Sequence, residues 1–227
     1  MKVYVGYDTR EDIAYQVCEH SIKRRNGETE VIALKQKELR EQGFYTREPD
    51  KLASTEVTFT RVFVPHLNNY KGWAVFCDLD FVWKVPSKEL EQYCDESKAV
   101  VCVQHDYKPT ESRKMDGQVQ TVYPRKNWSS FIVFNCSHPS NKKLNVDLVN
   151  KETGSFLHQF KWLADENLIG DLPLEWNWLA GEYPRKDNVK NVHYTEGGPW
   201  YVDYLQSDYA NEWQQYFDEA TKRNMNK

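Results

Sequence analysis

The sequence predicts an α/β fold in which a parallel sheet presents a nucleotide-sized crevice at its carboxyl edge. Three observations carry that expectation. Residues 2–34 run strand, helix, strand at the length of one βαβ unit. Short apolar, β-rich runs then recur at 73–77, 99–103 and 131–134. One of them, inside GWAVFCDLDFVW (72–83), delivers two carboxylates one residue apart, Asp78 and Asp80, before apolar residues resume.

KVYVGY (2–7) reads as the first strand and ends at Asp8. A helix is expected from about Thr9, with Ile13, Ala14, Val17, Cys18 and Ile22 on one face. Glu11 and Asp12 in its first turn and Lys23, Arg24 and Arg25 in its last complement the helix dipole, and Asn26-Gly27 supplies the stop. TEVIAL (29–34) is the second strand, and 35–53 is polar loop around one short helix. STEVTFTRVFVPHL (54–67) is ambiguous: its β-branched residues argue strand, whereas Ser54 or Thr55 as a cap argues helix. Helices are expected from 144 and from 156, and a C-terminal helix places Tyr209, Trp213, Tyr216, Phe217 and Ala220 on one face. No internal repeat, low-complexity segment or domain boundary stands out, so one domain over 1–227 is expected.

Composition narrows the function classes. The chain has 227 residues, 40% hydrophobic and 28% charged, with a net charge of −4, which suits a globular protein and argues against nucleic-acid binding. No apolar run approaches bilayer length, and the first residues already form a strand, so a soluble, cytoplasmic protein is expected. The five cysteines show no CxxC pair or zinc spacing; Cys77, Cys102 and Cys136 sit in apolar runs as small buried hydrophobes. Eight Trp and fourteen Tyr are more than a core of this size needs, and suit a cleft that stacks sugar or base rings.

In an extended chain Asp78 and Asp80 project to the same side. Two like charges so close resist ionising together, and a hard divalent cation such as Mn²⁺ or Mg²⁺ resolves the repulsion through carboxylate oxygens. Taken alone, the pair fits equally well with one Asp capping a turn and the other solvated. A second constellation is NVHYTEGGPW (191–200), where His193 follows a β-like run and Gly197-Gly198-Pro199 forms a tight turn able to approach a phosphate. His193 can add a nitrogen ligand, although such a histidine taken alone is more often structural, and a Gly-Gly-Pro run more often just a turn.

These pieces resemble the glycosyltransferases of the GT-A fold, and most closely the retaining family 8 type. GWAVFCDLDFVW resembles the strand and DxD of that family, and HYTEGGPW its His, Gly-rich, Pro-Trp segment. GYDTRE (6–11), FTRVFVPHL (59–67), NWSSFIVFNC (127–136), ADEN (164–167) and LPLEWNW (172–178) fall in the matching order, so the resemblance spans nearly the whole chain. It implies a Rossmann-like mixed, mainly parallel sheet flanked by helices, with a nucleotide-binding half over 1–110 and an acceptor and sugar half over 111–227. It also implies a helix at 56–66, against local propensity.

The resemblance further implies a site. Asp78, Asp80 and His193 would hold a divalent metal, Mn²⁺ or Mg²⁺, on the donor diphosphate, with Asp78 also near the ribose. Tyr7 and Asp8 would contact base and ribose, Arg61 the diphosphate or donor sugar, and Ser129, Ser130 and Asp165 the sugar hydroxyls, with Asp165 joining Asp78 and Asp80 in catalysis. Gly197, Gly198 and Trp200 would close over the phosphates. The implied partners are a nucleotide-diphosphate sugar, UDP-glucose or a related UDP-sugar, and a glycan or glycoprotein acceptor. Two departures leave the donor open: Gly198 stands where the family often has Lys, and Glu166 where many relatives have Gln. The residues also admit a phosphatase of the haloacid-dehalogenase type, with Asp78 as nucleophile, and a non-catalytic sugar-nucleotide-binding module.

Overall fold

The computed structural model describes residues 1–48, 55–106 and 124–225. The alternative cap Ser54 and the expected division at 110/111 lie outside the described residues. β1 (Lys2–Gly6), α1 (Asp12–Asn26) and β2 (Val31–Leu34) form the βαβ unit, with β1 and β2 parallel from Val3↔Val31 to Gly6↔Leu34. α2 (Gln36–Glu41) is the short helix of the next connection. β3 (Trp73–Cys77) lies parallel to β1 on the other side, so its Val75, Phe76 and Cys77 are fully enclosed. Burial on both faces is why this strand is continuously apolar.

The remaining strands are β4 (Phe81–Trp83), β5 (Val100–Cys102), β6 (Phe131–Asn135), β7 (Ile169–Asp171), β8 (Trp178–Leu179) and β9 (Asn191–His193). They build two sheets, a six-stranded one ordered β2-β1-β3-β6-β5-β7 and a three-stranded one ordered β4-β9-β8. The larger is mixed: β6 runs antiparallel to both β3 and β5, while the other three pairs are parallel. β3 and β4 belong to different sheets, and the chain crosses between them at residues 78–80.

α1 wedges between the two cores. Ala14, Cys18 and Ile22 join the core of the large sheet, whereas Val17 joins Val82, Trp178, Tyr194, Tyr209 and Trp213. The Ser21 hydroxyl accepts the Trp83 backbone N–H at 3.0 Å, fastening β4 to α1. The C-terminal helix α7 follows over Ala210–Met225, and buries Trp213, Tyr216 and Ala220. Among the described residues no helix is long and apolar enough to cross a membrane.

Two segments show tertiary burial overriding local preference. The β-branched stretch at 57–67 is helical, as α3 (Val57–Thr60), a 3₁₀ turn at Arg61–Phe63 and α4 (Val64–Leu67). Val57, Phe59, Val62, Phe63 and Val64 are all buried there, which outweighs their modest helix penalty. Conversely, of the helices expected from 144 and 156, α5 covers Val146–Lys151 and α6 only Gly154–His158. The latter stops because Phe160 turns to φ 56° and buries its ring edge-on to Trp162.

β1 and α3 approach very closely at the crevice. A Cβ on Gly6 would lie 2.4 Å from Val57 Cγ1. Gly6→Ala is therefore expected to destabilise the fold by about 1–3 kcal/mol through overpacking, read as a lowered midpoint in urea. An unchanged midpoint would show that α3 gives way freely.

Candidate metal centre

The turn between β3 and β4 carries both aspartates. β3 ends at Cys77, so the pair converges through this turn and not along an extended strand. The Asp78 N–H donates to Ser130 O at 2.9 Å, and the Asp80 carbonyl accepts from Tyr194 N–H at 3.0 Å. One aspartate is thus pinned to the end of β6 and the other to the end of β9. β9 also places His193 opposite Phe81, with the rings stacked at 4.3 Å.

Asp78, Asp80 and His193 each offer one ligand atom, and these atoms all lie within 4.8 Å of one another. His193 Nε2 is 3.4 Å from Asp80 Oδ2. The tautomer follows from Asn177. Its amide nitrogen donates to Asn127 O at 3.2 Å and to Ser130 Oγ at 2.9 Å, which turns Oδ1 toward His193 Nδ1 at 2.8 Å. An acceptor there requires Nδ1–H, so in the neutral ring the Nε2 lone pair faces the Asp80 carboxylate. Two electron-rich groups at that distance repel unless a proton or cation lies between them. Two carboxylates and an oriented imidazole are a donor set that fits a hard divalent cation such as Mn²⁺.

Arg61 is buried behind Asp78. Its Nη2 is 3.0 Å from Oδ1, its Nη1 3.4 Å from Oδ2, and Nη1 also donates to the Ser129 carbonyl at 2.8 Å. Expected at the diphosphate or donor sugar, this guanidinium is paired with Asp78 at the metal-binding group. Ser129 and Ser130, expected at sugar hydroxyls, are buried and hydrogen-bonded within the chain. Ser129 Oγ accepts from Arg61 at 3.3 Å and lies 2.7 Å from His158 Nδ1. Burial and the Arg61 charge push the His158 pKa down to about 3, so a neutral ring lies against the serine hydroxyl. Ser130 Oγ donates to Asn127 O at 2.7 Å. Asn127, at φ 62°, tolerates the left-handed conformation that presents this carbonyl.

At the end of β1, Asp8 is fully enclosed. Its carboxylate is bound by Arg10 side chain and backbone and by the Glu56 N–H. Burial pushes its pKa up, but these bonds outweigh it and hold the group below the usual range. Tyr7 remains half-exposed, donates to Asp12 Oδ1 at 2.7 Å and carries Lys35 Nζ 5.3 Å over its ring. Asp165 is exposed and caps the Asn167 N–H at 2.8 Å; it is not part of the Asp78–Asp80–His193 group. Gly197 and Gly198 are buried in their turn, and the Gly197 N–H is spent on Tyr194 O at 3.0 Å. Trp200 is half-buried, packed on Tyr194 and Trp213.

Three residues of this neighbourhood escape sequence reasoning. Asn177 and His158 carry no signal beyond their place in polar or helical text. Glu11 reads as an acid complementing a helix dipole, yet it is 5% exposed. Burial and the nearby Asp80 charge raise its pKa from 4.5 to about 7, although hydrogen bonds from Trp200 and Tyr201 partly oppose the shift.

The chain is 48% identical over 229 residues to Protein CDI of Arabidopsis thaliana, an alignment covering 98% of this chain and 88% of that protein. This chain belongs to the CDI family. No protein-family model matches it. Among solved structures, it is similar to the bifunctional glycosyltransferase WbbM (TM-score 0.58, 18% identity, 98% of this chain and 51% of that one). It is also similar to GlyE of Streptococcus pneumoniae TIGR4 (0.62, 13%, 95% and 60%) and to the galactosyltransferase LgtC with donor and acceptor sugar analogs (0.60, 10%, 96% and 96%). The fold of this CDI-family chain is therefore GT-A, and it spans about half to three-fifths of the WbbM and GlyE chains.

Two outcomes follow from the electrostatics. Arg61→Ala strands the Asp78 carboxylate in a largely enclosed place, and is expected to cost about 3 kcal/mol of stability. A double-mutant cycle with Asp78→Asn should recover most of that loss; strict additivity would show that the ion pair is not coupled. For Glu11, the folded state holds the proton more tightly than the unfolded chain, whose carboxyl titrates near 4.5. Its contribution to stability is thus full below about pH 4.5 and is lost as pH rises through about 7, roughly 3 kcal/mol in all. Glu11→Gln should flatten this part of the metal-free stability profile, measured by denaturation from pH 4.5 to 8.

Proposed function

We propose that this protein is a metal-dependent glycosyltransferase of the retaining, family 8-like type, which moves a hexose from a UDP-sugar to an acceptor hydroxyl on a glycan or glycoprotein. The observation that carries the reading is the Asp78–Asp80–His193 group at the carboxyl end of β3. It lies in a fold shared with a galactosyltransferase solved with donor and acceptor sugar analogs. Asp78, Asp80 and His193 would hold a divalent cation, which would supply positive charge to a departing diphosphate.

The protein's own groups prepare for that charge. Asn177 fixes the His193 ring with Nε2 toward Asp80, so no reorientation is needed when a ligand arrives. Arg61 neutralises Asp78, which keeps the group from being so anionic that it repels a diphosphate. Ser129 and Ser130 act through Arg61 and Asn177. Tyr7 offers an aromatic edge for the base, and Asp8 holds its loop in shape. The 197–200 turn closes the phosphate side, and the role at the sugar hydroxyls assigned to Asp165 rests on the family resemblance alone. In this reading residues 1–110 form the nucleotide half and 111–227 the sugar and acceptor half, and a reducing, cytoplasmic setting suits the unpaired cysteines. Cleavage of the anomeric bond with retention needs no protein nucleophile if the acceptor attacks from the side the diphosphate leaves, passing its proton to that diphosphate.

The phosphatase alternative loses support here, because both Asp78 oxygens face Arg61 and a nucleophile there would have to break a buried ion pair. Asp80→Ala and His193→Ala are each expected to lower Mn²⁺-dependent UDP release from a UDP-hexose by more than about a hundredfold, measured by coupled assay across several nucleotide sugars. Full turnover in either variant, or steady phosphate release from a generic phosphomonoester, would falsify the reading.

A further inference from the structure

Glu11 joins two parts of the chain that are 189 residues apart. It ends the short 3₁₀ turn after β1, directly beyond the loop held by Asp8. Its Oε1 accepts from Trp200 Nε1 at 3.2 Å and from the Tyr201 hydroxyl at 3.2 Å. Both donors immediately follow the Gly197-Gly198-Pro199 turn. A buried acid beside the Asp80 charge is electrostatically expensive, so a role in packing alone would be served better by an apolar residue.

The turn itself is built around these rings. A Cβ on Gly198 would sit 1.9 Å from Trp200 Cζ3, so the indole lies directly on the glycine backbone. Gly197 has φ 144°, and a Cβ there would meet the Tyr204 ring at 2.8 Å. Trp200 in turn packs at 5.7 Å on Trp213 of α7 and edge-on to Tyr194 at 5.9 Å. The path of the turn is thus set by where Trp200 rests, and Glu11 sets where its indole N–H points.

We propose that Glu11 is a positioning residue: its carboxylate latches Trp200 and Tyr201 and thereby holds the Gly197–Pro199 turn over the donor diphosphate. The role rests on the donor-site reading above. It is separate from the metal centre, since Glu11 is outside the group that can hold the cation. The latch needs an oxygen acceptor, not a charge, because both contacts are donated to Glu11. Glutamine can reproduce them and leucine cannot.

The test compares wild type, Glu11→Gln and Glu11→Leu by hydrogen exchange of peptides covering 195–201 in the metal-free protein, and by titration with UDP and Mn²⁺. Glu11→Leu is expected to exchange faster at 195–201 with β3 unchanged, and to bind UDP–Mn²⁺ about tenfold more weakly. Glu11→Gln is expected to stay within about threefold of wild type in both. Unchanged exchange at 195–201 in the leucine variant, or a glutamine variant as impaired as leucine, overturns the latch. Should Glu11→Leu not fold, Tyr201→Phe removes one donor from the other side and must accelerate the same peptides. If wild type binds no UDP–Mn²⁺, the donor-site reading fails, and exchange alone still decides whether Glu11 holds the turn.

Discussion

Two carboxylates on one tight turn repel each other, and the architecture around residues 78–80 is arranged to hold them together. Asp78 is countered by Arg61, enclosed at 9% side-chain exposure and braced by Ser129. Asp80 faces the Nε2 lone pair of His193, whose tautomer is fixed by Asn177, so the two together offer a cation a further pair of donors. Neither Arg61 nor His193 comes from the strand that leads into the aspartates. Arg61 arrives from the helical segment before it, and His193 from a strand more than a hundred residues later.

That division explains the two sheets. β3 is the central mount, paired on both sides and buried, so its end is rigid. β4 leaves at once for the smaller sheet, where it pairs with β9 and brings His193 opposite Phe81. The crossing of the chain from one sheet to the other is therefore what brings Asp78, Asp80 and His193 together. α1 stabilises the crossing by serving both cores, and Ser21 fastens it to β4. Loss of packing anywhere along α1 would loosen the two sheets relative to each other, and the ligand atoms with them.

The glycine-rich turn shows a second use of backbone space. Gly197 and Gly198 leave room for aromatic rings from their own chain, Tyr204 and Trp200. Their lack of side chains lets the rings settle on the backbone, and one of the amides is already spent within the turn. The closeness of approach that glycine permits is thus used first for internal packing. Any contact with a phosphate builds on a turn whose shape is set by Trp200, Tyr201 and Glu11.

Much of the fold was legible in the chain, because the βαβ unit and the buried strands write their burial directly as periodicity and apolar runs. The pair Asp78 and Asp80 and its partner His193 were legible as chemistry, since few residue types hold a hard cation. The helix at 57–67 was not legible from propensity, as Val57, Phe59 and Val62 are β-formers held helical by enclosure. Nor were the internal partners of Arg61, Ser129 and Ser130, whose hydrogen bonds run to groups from distant parts of the chain. The sequence by itself determined which residue types can bind a cation and which strand leads into the aspartates. Only the tertiary structure decided which polar groups were left to face a ligand, because a side chain's remaining valence depends on neighbours that arrive from distant parts of the chain.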